Sequence, residues 1–346
     1  MIGPMRKIVK KAISAASAVL VGSFVSFGMV EGVVRLFFSE PVLPRFVVDS
    51  GVGIRFNQSG VSTEHFYPNQ YRVTITTNQA GLRGTKDYTV PKPPNTYRIA
   101  MLGDSMLFGF GVADNEVVSY QLEHLLNRTA KNRKFEVLNF GVSGFGTAEQ
   151  LVAYEKLVRP YKPDAVVVFY FSNDVGNTIV SGLFKVGADG KLERTDKSYL
   201  PGVRLREILY AIPPVRWLFE HSQAWNLFRN RLSGIVHRNF LAEHGMRSST
   251  EENPAAMVLT RLVIIELLRK IRSDGARSMI FIIPDRKMKT NFPVSFQTIN
   301  SLHAIAIDGR KFLSRTDYYD IDGHWRSRGH RNAAEVLRER VLGLPD

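Results

Sequence analysis

The chain of 346 residues has no cysteine, only three tryptophans, and 32 acidic residues against 46 lysines and arginines. Without cysteine there is no disulfide, no thiolate nucleophile and no thiolate metal ligand, which suits an exported protein that does not rely on covalent staples. The shortage of acid leaves a formal charge of +14, and that charge favours acidic partners such as anionic lipid or an acidic polysaccharide. Nucleic acid would answer to the same charge. The basic residues are dispersed, however, and no nucleic-acid motif is present, so no nucleic-acid partner is expected. Phosphate and metal motifs are missing as well. No Gly-Lys-Ser/Thr occurs, Gly141-x-x-Gly144-x-Gly146 has the wrong order for a dinucleotide loop, and His303, His324 and His330 lack metal-ligand spacing. No cofactor and no metal are expected. Internal repeats and low-complexity tracts are absent too.

What is present begins with one long uncharged run. Arg6, Lys7, Lys10 and Lys11 precede Ala12 to Val30, nineteen residues without a charge, the length of a single membrane-spanning helix whose basic end stays in the cytoplasm. Ala16-Ser17-Ala18 has the small-x-small look of a signal-peptide cleavage site, but cleavage there leaves too short an apolar region ahead of it. The helical pattern also continues through Glu31, Val33, Val34, Arg35, Leu36, Phe37 and Phe38. The expectation is an uncleaved, single-pass anchor in the inner (cytoplasmic) membrane, with the C-terminal domain periplasmic or extracellular.

The remainder, in a chain 44% hydrophobic and 23% charged, suffices for one main domain with additions. From Glu40 to Pro94 it is rich in Val, Thr, Tyr, Asn, Gly and Pro. Tyr71 to Thr76 alternates like a half-exposed strand, and Asn78 to Gly84 reads as a turn. Apolar runs at Arg98–Leu102, Phe135–Asn139 and Pro163–Phe171 alternate with helical patterns, as in a doubly wound, mainly parallel α/β sheet. Val175 to Pro254 breaks that rhythm with aromatic helical pieces and arginines (Arg204, Arg206, Arg216, Arg229, Arg231, Arg238), and reads as a helical insertion. The rhythm resumes with a helix over Ala255–Arg272, strands at Ser278–Ile283 and near Ala304–Ile307, and a last helix from Arg328 to Leu342. The expected divisions are an anchor at 1–40, an accessory β segment and linker at 41–96, and an α/β domain at 97–346 with the insertion at about 176–254.

Chemistry enters where the first apolar run stops, at Gly103-Asp104-Ser105. A serine needs a base within hydrogen-bond reach and donors for the oxyanion it creates. Downstream lie the Gly-rich turn Asn139 to Gly144, the turn Phe171-Ser172-Asn173-Asp174, and a late Asp322-Gly323-His324-Trp325. Each can supply one of those parts, and the turns follow strand ends, where parallel sheets gather functional groups.

The order Gly-Asp-Ser, Gly-rich turn, Asn-Asp, then Asp/His resembles the SGNH (GDSL-type) hydrolases, over roughly Arg98 to Val341. Asn78-x-x-Gly81-Leu82-Arg83 is similar to an element that precedes the Gly-Asp-Ser strand in membrane-anchored members. The resemblance implies a flavodoxin-like core, Ser105 as nucleophile and His324 as base. It also implies an oxyanion hole made by the Ser105 N–H, the Gly144 N–H and the Asn173 side-chain amide, with Gly141 and Gly146 as competitors of Gly144. Asp104 has the simpler role of tying its own turn, and His330 that of helical structure. Many members place the acid three residues before the histidine, and here that residue is Ile321. Asp322 lies two before and Asp320 four before. The Asp322-x-His324 spacing is similar to SGNH-like proteins of alginate acetylation and supports Asp322. The function implied is a serine esterase that removes an O-acyl group, chiefly O-acetyl, from an extracytoplasmic carbohydrate or related ester. The alternatives are an O-acetyltransferase with the same site and a non-catalytic carbohydrate-binding or assembly protein.

Overall fold

The computed structural model describes residues 2–38, 46–130, 132–243, 245–246 and 253–343, so the expected boundary between 40 and 41 lies outside the described residues. Its centre is a five-stranded parallel sheet of β1 (Thr96–Gly103), β2 (Lys134–Gly141), β3 (Ala165–Tyr170), β4 (Arg277–Ile282) and β5 (Ile305–Asp308). The spatial order is β5-β4-β3-β1-β2.

The strands read as unbroken apolar runs because both faces are covered. Ala100, Leu102, Val166 and Val168 enter one buried cluster while Ile99, Met101, Val167 and Phe169 enter another, the two-residue alternation of a pleated strand. Helices Thr147–Ala153 and Pro254–Ser273 pack on the first face, and Val118–Thr129 and Ser327–Leu342 on the second. The fold is therefore the expected doubly wound α/β. Its strand order reverses between β1 and β3, which opens a crevice at their carboxyl ends.

The segment before β1 forms two small antiparallel hairpins, Val47–Asp49 with Arg55–Asn57 and Ser62–Tyr67 with Tyr71–Thr76. The Asn78 side chain then accepts from the N–H groups of Ala80 and Leu82, closing the expected turn. Arg83 leaves that turn for the interior. It donates to the carbonyls of Phe108 (3.1 Å) and Val112 (2.9 Å) and pairs with Asp114. The Asn78–Gly84 element thus fastens the accessory segment to the chain that follows Ser105.

The insertion departs from a purely helical reading. It starts with the helix Asp174–Ser181 and a short hairpin, Phe184–Val186 with Leu192–Arg194, and only then gives the helices Val203–Tyr210, Pro213–His221 and Gln223–Glu243. Three-residue strands are too short to show a two-residue alternation in sequence.

The chain divides into two compact units, Val42–Arg206 with Val236–Asp346, and Met1–Pro41 with Glu207–Ile235. In the smaller unit the helix Ile2–Phe37 has a stretch, Ile13–Phe37, long and apolar enough to cross a membrane. Near its end the Glu31 carboxylate accepts from the Ser222 hydroxyl (2.7 Å) and the N–H groups of Gln223 (2.9 Å) and Ala224 (3.0 Å). One side chain therefore satisfies the exposed amides at the start of another helix.

Candidate active site

Ser105 begins a four-residue helical turn, Ser105–Phe108, directly after β1. The Asp104 Oδ1 accepts from the Met106 N–H (2.9 Å), the local turn-tying bond expected of it, and Oδ2 accepts from the Asn173 amide (3.1 Å). Burial pushes the Asp104 carboxyl above the usual range, against those hydrogen bonds. Ser105 is thus held by the central strand and by a buried acid that reaches the turn after β3.

Three sequence-selected side chains meet in line. The Ser105 Oγ lies 2.8 Å from Nε2 of His324, and Nδ1 of His324 lies 2.7 Å from Oδ2 of Asp322. Gly323, between them, has φ of +78°, a left-handed conformation open to glycine, and this turns the chain tightly enough for Asp322 to reach the ring of its near neighbour. Asp320 is elsewhere: it is exposed and paired with Arg286 and Arg326. The carboxylate on the imidazole is Asp322, two residues before the histidine.

Burial raises the Asp322 pKa, but the hydrogen bond and charge of His324 and the bond from Tyr71 outweigh it, so the carboxyl is held below the ordinary value. That bond extends inward. The Gly111 N–H donates to Nδ1 of His65 (3.1 Å), which in the neutral ring leaves the proton on Nε2. His65 Nε2 is 3.2 Å from the Tyr71 hydroxyl, which donates to Asp322 Oδ2 (2.9 Å). Burial, the His324 charge and Arg83 lower the His65 pKa to about 3, so the ring is neutral. Gln70 accepts the Ile321 N–H (3.0 Å) with its side-chain carbonyl. The acid and base therefore rest on the hairpin of Ser62–Tyr67 and Tyr71–Thr76.

The oxyanion candidates separate by where their amides point. The Gly141 N–H donates to the Asn139 side chain (2.9 Å) and the Gly146 N–H to Glu149 (3.0 Å), so both are engaged. Among the described hydrogen bonds, the Gly144 N–H and the Ser105 N–H have no acceptor. Gly144 has φ of +75°, and a Cβ there would come within 3.1 Å of the Arg55 guanidinium, which donates to its carbonyl. Arg55 also donates to buried Glu149 (3.1 Å), so it clamps the turn after β2. Asn173 follows β3 and spends one amide hydrogen on Asp104, leaving the second. Topology sets these turns on either side of the Ser105 turn, because β2 and β3 flank β1.

His65, Tyr71, Gln70 and Arg55 belong to no motif. Their one signal is strand alternation, which puts Tyr71 on the same face as buried Ile75. His330 is fully buried and accepts the Val118 N–H (3.3 Å), the structural role expected of it. A cavity of about 620 Å³ lined by Tyr154, Glu155, Arg159 and Asp274 opens at the amino ends of β3 and β4, away from Ser105. Among the described residues no group of three His, Asp or Glu is placed to hold a metal.

Solved structures similar to this chain include TesA, at 14% identity and TM-score 0.42 over 71% of this chain and 98% of that one. Others are a lipase/acylhydrolase from Enterococcus faecalis (13%, 0.41, 71% and 96%) and a catalytic mutant of Axe2, an acetylxylan esterase from Geobacillus stearothermophilus (12%, 0.41, 72% and 95%). No family model matches the chain, and no curated protein matches it. At such low identity and TM-score the functional reading rests on the arrangement of Ser105, His324 and Asp322 itself.

Proposed function

We propose that the protein is a serine esterase of SGNH type, anchored by its N-terminal helix, with its α/β domain outside the cytoplasm. The observation that carries this reading is the in-line set of Ser105 Oγ, His324 and Asp322 at 2.8 and 2.7 Å. His324 Nε2 removes the Ser105 proton as Oγ attacks an ester carbonyl, and Asp322 holds the tautomer and stabilises the imidazolium. The tetrahedral oxyanion is met by the N–H groups of Ser105 and Gly144 and by the free amide hydrogen of Asn173. His324 then protonates the leaving alkoxide. In the second half it deprotonates the water that attacks the acyl-enzyme, releasing the acid and restoring Ser105.

The substrate in this reading is an O-acyl ester, chiefly O-acetyl, on a carbohydrate of the cell envelope, as the resemblance implies. The spacing Asp322-x-His324 favours a second outcome, transfer of the acyl group to a sugar hydroxyl. Both share one acyl-enzyme, and they differ only in whether water is kept out while an acceptor binds. The test uses the full chain in detergent with a chromogenic acetyl ester. Acetate release that disappears in Ser105→Ala supports the esterase. With oligosaccharide added, acetylated sugar accumulating faster than free acetate overturns hydrolysis in favour of transfer. No acyl turnover of either kind overturns both.

A further inference from the structure

We infer that the helices of the smaller unit form a lipid-binding surface, lying on the bilayer at the far end of the anchor. The inference rests on the proposed membrane span. From Ala12 to Val30 the chain has no charge, and nineteen helical residues rise about 28 Å, close to the hydrocarbon thickness of about 30 Å. Glu31 is therefore at the boundary where the span meets the headgroups. That residue caps the start of the helix Gln223–Glu243, and Arg35, one turn further on, donates to the carbonyl of His221 (2.6 Å) at the end of the helix Pro213–His221. Two helices are thus stapled to the span at headgroup depth.

Their exposed side chains suit that depth and do not suit water. Phe228, Leu232 and Ile235 follow at intervals of four and three, one face of a helix, and are 58%, 47% and 47% exposed. Ile208 on the helix Val203–Tyr210, Ile212 just before the next helix, and Trp217 on the helix Pro213–His221 are exposed as well, Trp217 at 55%. An exposed apolar helix face such as Phe228, Leu232 and Ile235 marks an interaction surface. Tryptophan is enriched at membrane interfaces. Arg231, exposed, borders the Phe228 stripe, where a guanidinium meets phosphate while its stem lies along apolar surface. The occupant is therefore the lipid surface of the membrane that the same unit enters, with anionic headgroups favoured by Arg231.

A chain without cysteine allows a clean test, since one introduced cysteine carries one environment-sensitive fluorophore. The full-length variants Val21→Cys, Phe228→Cys, Leu232→Cys and Ser233→Cys are labelled and placed in nanodiscs of phosphatidylethanolamine and phosphatidylglycerol. A lipid carrying a nitroxide near its headgroup serves as quencher. The span itself is read at position 21, where blue-shifted emission reports insertion. Labels at 228 and 232 are expected to be blue-shifted and to lose most of their emission to the lipid quencher, while the label at 233, exposed on the other side of the helix, stays water-like. An inserted 21 with water-like 228 and 232 overturns the surface and leaves the anchor standing. Blue-shifted but unquenched 228 and 232 overturn it in favour of a protein partner or second copy. A water-like 21 overturns anchor and surface together.

Discussion

The two halves of the Ser105–His324–Asp322 array are held by different parts of the chain. Ser105 stands at the end of β1, whose residues Ile99 to Leu102 are wholly buried in the sheet. The histidine and acid stand on a short late loop, and their outer support is a two-stranded hairpin far away in sequence, through Tyr71, His65 and Gln70. A nucleophile can be fixed by the core because it sits in a strand-to-helix turn. An acid carried on a loop needs neighbours that hold it, and here they are Tyr71, which donates to the carboxylate, His65 behind it, and Gln70 on the loop backbone.

The largest way to break this comparison is at the acid itself. Asp322→Ala is expected to lower kcat by about 10³ to 10⁴, while exposed Asp320→Ala changes it by less than about threefold, as a surface ion pair should. Steady-state kinetics of the two variants decide it, and the reverse ranking would detach the loop from the mechanism. Next in size is the hairpin's contribution. Tyr71→Phe removes a hydrogen bond to a charged group, about 1.5–3 kcal/mol or roughly 10- to 160-fold, and the account predicts it in kcat with KM nearly unchanged. In an Asp322→Ala background the same substitution should do almost nothing, because its effect passes through that carboxylate. Additive losses would make Tyr71 an ordinary packing residue.

The smallest effect concerns pH. His65 is held at about 3 in the folded protein against 6.5 for a free side chain, so the unfolded chain binds the extra proton first as pH falls. The stability linked to this ring is complete above about pH 6.5 and is lost as the pH drops towards 3. Between pH 7 and 5 that amounts to about 2 kcal/mol. Urea unfolding of His65→Phe should show a pH dependence shallower by about that amount, and an unchanged dependence would contradict the buried neutral ring.

Much of the fold is legible because it repeats. The strands of the sheet are unbroken apolar runs, and the helix Pro254–Ser273 exceeds its expected bounds by one residue at each end and Ser327–Leu342 by one residue at its start. Ser105, Asp322 and His324 are legible as residue types in a fixed order. What the sequence leaves open is partnership across distance. Nothing local in Tyr71-Arg72-Val73 says that the hydroxyl of Tyr71 meets a carboxylate some 250 positions later, and Arg55 before Asn57 does not announce its clamp on Gly144. The choice among Gly141, Gly144 and Gly146 was open for the same reason, since it depends on which N–H groups the neighbouring Asn139 and Glu149 already occupy.

The central claim is that Ser105 is a nucleophile activated by His324. The most direct test is labelling of the intact, folded chain with a fluorophosphonate, followed by peptide mass spectrometry. The account predicts one phosphonyl group per chain, on Ser105, formed far more slowly in His324→Ala and not at all in Ser105→Ala. A folded chain that takes no label, or takes it on another residue, would contradict the account and favour a carbohydrate-binding protein that keeps the fold without turnover.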